Sequence, residues 1–330
     1  MVIQDTVRPV AQTPTTEPAP LGAPRKRTFF DWAVDKSFQG IRDEFFRNVQ
    51  FSEPKGDPGW FGPRSAVWYI HEHLPTIQIA MGAAAMMETL HPDMAWMAYE
   101  HTRAIERVNG VPTGRFDEKA MQSRSGHTLS FFFGVAMAST PVAERVTRTV
   151  RAMHDRVEGV RPDGRAYRAG DPDLLTWNYC TQAWAIAAAH ERYHPNPLGP
   201  DRMAEFFRDY TKMGRELGGA NVPTTKEGVD QYLADSLPYL GVTMPTVELL
   251  NPTAPWRYPA WQRPVMSLVD WAIQDLHPEW AQRLMNTRKY PKPIAAARRR
   301  TVKALLNGFR DGKIKEVYEA YERMGATPQS

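Results

Sequence analysis

The chain has 330 residues, 42% of them hydrophobic, enough to bury a large core in one big domain or two small ones. Lys+Arg 41 against Asp+Glu 37 leaves a net charge of only +4, spread along the chain apart from short runs such as Arg25-Lys26-Arg27 and Arg298-Arg299-Arg300, so composition gives no case for a nucleic-acid partner. One cysteine, Cys180, in a stretch that reads as buried helix, rules out a disulfide framework or a Cys-based zinc or iron–sulfur site within one chain and points to the cytoplasm.

In chain order, residues 1–27 are Pro/Thr-rich and lack a charged start followed by an apolar run, which predicts a disordered tail rather than a targeting segment. From Phe29 onward apolar residues recur at helical spacing between Pro and Gly breaks, and alternating stretches are almost absent, so residues 28–330 are expected to form a single large all-α domain. About a dozen helices are predicted, at 29–49, 64–90 with a kink at Pro75, 92–108, 117–138, 141–158, 172–193, 199–217, 225–238, 264–276, 278–287, 293–310 and 313–324. Thr140-Pro141 and Asp171-Pro172-Asp173 supply N-cap and first-turn signals, and VRPDGRAYRAG reads as a turn-rich link. The longest nearly apolar run, Ile77 to Met87, is well short of the roughly 20 residues that cross a bilayer.

Most of the histidines have simple structural readings. His91, His194 and His277 each precede a proline and fall at helix ends, and His71, His73 and His101 lie in mixed polar surroundings that suit structural or exposed roles. Glu88-Thr-Leu-His91 and Glu191-Arg-Tyr-His194 both spell Glu-x-x-His, the ferritin-like di-iron pattern, but a proline after each histidine predicts a helix terminus where that pattern needs the middle of a bundle. His154 is different. On a helical wheel Val142, Val146, Val150, Met153 and Val157 form the buried stripe, His154 projects at its margin, and Arg151 sits beyond it. Such a histidine is either a satisfied core residue or, with its arginine, a haem ligand beside a propionate partner. In MQSRSGHTLSFFFGVAM, Arg124 and Thr128 share a face that continues through Phe131 and Phe132. Burying that arginine is costly unless it meets an anion or a hydrogen-bond acceptor, and the structural alternative to a ligand is a salt bridge to a carboxylate such as Glu106 or Asp117.

The order AMGAAAMMETLHPDMAWMAYEHT, R-x-x-x-T followed by FFFG, VRAMHDRVEG and DGRAYRAGDPDLLTWN resembles the oxygenase family that includes the fungal MpaB-type enzyme of mycophenolic acid biosynthesis and the bacterial latex-clearing proteins. The resemblance covers most of the chain after about residue 60. It implies helices around a b-type haem whose proximal iron ligand is His154, with Arg124 and Thr128 as the pair lying near the haem; the spacing adds Arg151 as a propionate partner. The implied activity is a haem-dependent oxygenase acting with dioxygen on a hydrophobic, isoprenoid-like small molecule. His127 becomes a proton donor or second iron ligand, and Phe131, Phe132 and Met121 become pocket lining. Two other classes stay open: a di-iron oxidase using Glu88, His91, Glu191 and His194, and a non-catalytic haem-binding protein. The chain departs from the family pattern at three places: His127 stands where the rubber-cleaving branch often has lysine, the glutamate proposed there as a base has Glu106 as its nearest counterpart, and Tyr179 stands where many members have histidine.

Overall fold

Proline, glycine and capping residues cut the chain into helices much as their positions predict. The structure, a computed structural model, describes residues 29–37, 39, 42, 49–251, 254–308 and 312–328; the tail expected at 1–27 lies outside them. The order is α1 (Phe29–Ser37), α2 (Ala66–His71), α3 (Leu74–Glu88), α4 (Pro92–His101), β1 (Ile105–Val108), β2 (Val111–Phe116), α5 (Glu118–Met137), α6 (Thr140–His154), β3 (Glu158–Val160), β4 (Ala166–Arg168) and α7 (Pro172–Tyr193). It continues with α8 (Pro200–Leu217), α9 (Lys226–Asp235), α10 (Met244–Leu250), α11 (Arg263–Leu276), α12 (Glu279–Leu284), α13 (Lys292–Asn307) and α14 (Lys315–Arg323). The all-α fold class holds. Among the described residues no helix is long and apolar enough to cross a membrane.

The differences from the predicted elements have local causes. The kink at Pro75 is a full break between α2 and α3, because proline has no N–H to continue the ladder and begins a new helix instead. The helix predicted to 108 stops at His101, and β1 pairs antiparallel with β2 around Asn109-Gly110, both at positive φ (52° and 79°). The helix predicted to 158 likewise stops at His154, and the link after it is a second hairpin, Glu158–Val160 against Ala166–Arg168. Met153, assigned to the buried stripe of α6, is 54% exposed. Helix α10 was not predicted; its signal is the capping box in which Thr243 and Thr246 bond reciprocally.

Helix α7 is the centre of the core. Trp177, Tyr179, Cys180, Ala183, Ile186 and Tyr193 are all buried, so it is apolar nearly all round, and its main partner is α3. Helices α5 and α6 form a hairpin with only Ala138 and Ser139 between them, and Gly134 lets the Val146 side chain approach to 3.4 Å from where a Cβ would stand.

The start of α6 corrects the expected cap. Ser139 occupies the N-cap position without a side-chain cap bond, and Thr140 is already helical. The cap comes from Asp57, whose Oδ1 accepts from the Thr140 N–H (2.9 Å), the Thr140 hydroxyl (3.0 Å) and the Gly59 N–H (2.7 Å). Burial opposes the charge on Asp57, but these bonds together hold its pKa below the ordinary value. Asp57→Ala is expected to lower stability by about 1–2 kcal/mol, read from urea unfolding; an unchanged midpoint would show that water replaces the cap.

Candidate functional site

The link between α5 and α6 fixes which of their residues stand level. Arg124 and His154 each lie about 22 Å from Ala138–Ser139 at 1.5 Å per residue, so the antiparallel hairpin brings them to the same height at its open end. Thr128 and His127 stand one turn closer to the link on α5.

His154 is the last residue of α6 and is half-buried. Neither ring nitrogen bonds a described residue: Nδ1 is buried without a partner, while Nε2 keeps open surface. Burial lowers its pKa against the opposing charge of Asp155, which keeps the imidazole in its neutral, metal-ligating form. Arg124 has exposed surface, yet desolvation by the surrounding protein lowers its pKa against the raising effect of the Glu88 charge. Among the described residues it has no ion-pair partner. Glu106 instead accepts from the Thr113 hydroxyl (2.9 Å), and Asp117 caps α5 by accepting from the Ala120 N–H (3.1 Å), so neither carboxylate neutralises Arg124.

The other sequence candidates fall as follows. Thr128 is exposed and its hydroxyl donates to the Arg124 carbonyl (3.1 Å), and His127 is exposed beside it. Arg151 donates from Nη1 to the Glu216 carbonyl (3.1 Å), a cation on the last turn of α8. Phe132 is core, Phe131 is half-buried and edge-on to it with ring centroids 5.6 Å apart, and Met121 is half-buried. Tyr179, where family members often have histidine, is fully buried and donates to the Pro223 carbonyl (3.1 Å).

The carboxylate that feels Arg124 is Glu88, at the end of α3. Its Oε1 accepts from three side chains on one turn of α7: Asn178 Nδ2 (2.9 Å), Gln182 Nε2 (3.2 Å) and the Thr181 hydroxyl (3.4 Å). Gln182 Nε2 also donates to Asn178 Oδ1 (3.0 Å), which leaves Gln182 Oε1 buried without a partner. Burial pushes the Glu88 pKa up to about 7, against the lowering effects of the Gln182 bond, the Arg124 charge and the Thr181 bond. A polar layer with an unsatisfied acceptor costs stability inside an apolar helix pair, which makes it a candidate functional feature. Two amides four residues apart in an otherwise apolar α7 were the sequence signal for it.

The two Glu-x-x-His motifs do not meet. Glu88 sits at the level of Gln182, whereas Glu191 is exposed about 13 Å further along α7, and His194 caps that helix's far end. Among the described residues no three His, Cys, Asp or Glu side chains converge in a metal-ligating arrangement. His91 is the N-cap of α4, with its ring against Trp177 at 5.8 Å.

His194 belongs instead to a buried histidine cluster that sequence reading missed. His71 and His73 come from the α2–α3 junction, His190 and His194 from one face of α7, and all four are buried. Ring centroids are 4.3 Å apart for His190–His194 and 4.9 Å for His73–His194. His71 Nδ1 donates to the Val67 carbonyl (2.8 Å), and His190 Nε2 accepts from the Leu198 N–H (2.9 Å). Desolvation, before any neighbouring charge, pushes their pKa values down to about 4, 3, 2 and 4 in chain order.

No curated protein and no solved structure matches the chain significantly. A family model described as "ER-bound oxygenase mpaB/B'/Rubber oxygenase, catalytic domain" matches residues 68–310, a span that contains Glu88, Arg124, Thr128, Arg151 and His154. With that match over most of its length, the chain belongs to the mpaB/rubber oxygenase family and carries its oxygenase-type catalytic domain.

Proposed function

We propose that the protein is a haem-b-dependent oxygenase that uses dioxygen to oxidise a hydrophobic, isoprenoid-like small molecule. The observation that carries the reading is His154 itself: an imidazole with an open, unpartnered Nε2, standing level with Arg124 at the open end of a helix hairpin. A haem needs one axial nitrogen and a cation for its carboxylates, and these residues fit that demand without a cluster of ligands.

In this reading His154 Nε2 holds the iron, and Arg124 and Arg151 are the candidate partners for anionic groups. The haem, when bound, supplies the dioxygen chemistry. Arg124 offers guanidinium N–H donors that no described carboxylate occupies. Thr128, its hydroxyl hydrogen committed to the Arg124 carbonyl, retains oxygen lone pairs that accept a hydrogen bond, and His127, exposed one residue before it, is the candidate proton donor or second iron ligand. Phe131 and Met121 provide apolar wall that excludes water. The reducing, cytoplasmic setting read from the single cysteine belongs to the same proposal.

Protein expressed with a haem precursor is expected to show a Soret band and about one b-type haem per chain in a pyridine haemochromogen assay. His154→Ala is expected to lose the haem and keep its helical circular dichroism. A colourless, well-folded wild type after haem reconstitution, or a variant with an unchanged spectrum, would overturn the assignment.

A further inference from the structure

The Glu88 carboxyl is asymmetric. Its Oε1 takes all three donors from α7, while Oε2 has no hydrogen-bond partner among the described residues and, in a half-buried side chain, retains a little accessible surface within the field of Arg124. Along the face of α3 that carries it, Met81 and Ala85 keep accessible surface two turns and one turn before Glu88, with the exposed Gln78 beyond them; Ala80, Ala83, Ala84 and Met87 are buried, and Gly82 at the edge is covered by the Ile273 side chain, 2.6 Å from where a Cβ would stand. An apolar wall that ends in one anchored acceptor suits a neutral molecule with a terminal hydrogen-bond donor. The neighbouring Arg124 disfavours a cation there, and the carboxylate disfavours an anion.

We propose that Glu88 Oε2 is a substrate-binding group that accepts a hydrogen bond from the hydroxyl of an otherwise apolar alcohol. This gives the substrate class of the proposed oxygenase and rests on that reading for its catalytic meaning; the binding itself does not need the haem. Around Glu88, α7 presents only amides and a hydroxyl, α5 presents Arg124, and the His91 ring at the start of α4 turns to Trp177. The carboxyl is therefore the group that titrates in the subsite. Ionised, it accepts strongly from a hydroxyl; protonated, it donates and the advantage of an alcohol over an ether disappears.

The test uses two isomers, n-decanol and methyl nonyl ether, which have the same atoms but differ in the O–H donor. Calorimetric titration of the haem-loaded and the haem-free protein is expected to show on the order of tenfold preference for the alcohol at about pH 8, falling towards parity at about pH 6. In Glu88→Gln the three α7 donors hold the amide oxygen in the Oε1 place and leave the NH2 in the Oε2 place, so the preference and its pH dependence should both vanish. Equal affinities in the wild type, no binding of either isomer, or an unchanged preference in Glu88→Gln would overturn the proposal. Preference without haem incorporation would leave the subsite standing and remove the haem reading; haem incorporation without preference would do the reverse.

Discussion

Acidification below about pH 6.5 should unfold this protein steeply, before most carboxylates titrate. His71, His73, His190, His194 and His277 are buried, and desolvation pushes their pKa values down to about 4, 3, 2, 4 and 4. A depressed histidine is neutral in the fold and protonated in the unfolded chain. Its contribution is therefore fully present above the unfolded pKa of about 6.5 and is lost as pH falls towards the folded value. Each such group contributes a slope of up to about 1.4 kcal/mol per pH unit, so together they consume the stability of an ordinary domain within one to two units. Glu88 works in the opposite sense. Its folded pKa of about 7 lies above the unfolded value, so it stabilises the fold at low pH and loses that contribution as pH rises through about 7. One carboxyl does not offset five imidazoles. Urea midpoints at several pH values test this, and His190→Gln should flatten the acid limb; a level stability profile down to about pH 4.5 would contradict it.

Arg323→Met is expected to cost about 3–5 kcal/mol of stability, the largest single-residue effect outside the apolar core. The side chain is 1% exposed, and its guanidinium donates to the carbonyls of Asp57 (2.7 Å), Met137 (2.8 Å) and Phe51 while lying 5.8 Å from the Trp68 ring. Methionine fills the volume but leaves three buried acceptors without donors. Lysine keeps the charge but cannot reproduce the planar fork, so Arg323→Lys should recover only part of the loss. The consequence reaches the candidate site. Met137 ends α5 beside the Ala138–Ser139 link, and Asp57 caps α6, so Arg323 and Asp57 pin the closed end of the hairpin whose open end carries Arg124 and His154. A loss below about 1 kcal/mol in denaturant unfolding would show that the carbonyls find other partners.

The sequence by itself determined most of the helices, including the two that carry Arg124 and His154. Apolar periodicity, Asp171-Pro172 before α7 and the short link between α5 and α6 are local signals, and local signals fix backbone conformation and relative height along a helix pair. The R-x-x-x-T and V-R-x-x-H segments could therefore be named, and their family, before any packing was known. Only the tertiary structure decided the partners. Glu88 was legible as half of a Glu-x-x-His motif, but that its carboxyl faces amides on α7 and the field of Arg124, rather than a second metal-binding motif, depends on how α3 lies on α7. His71 and His73 read as scattered polar residues until packing buried them against His190 and His194. Asp57 reaches α6 from 83 residues away and Arg323 reaches Phe51 from 272. Contacts at such separations leave no periodicity or spacing to read, because burial and hydrogen-bond pairing between distant segments are set by the packing of whole helices and not by the residues next to them.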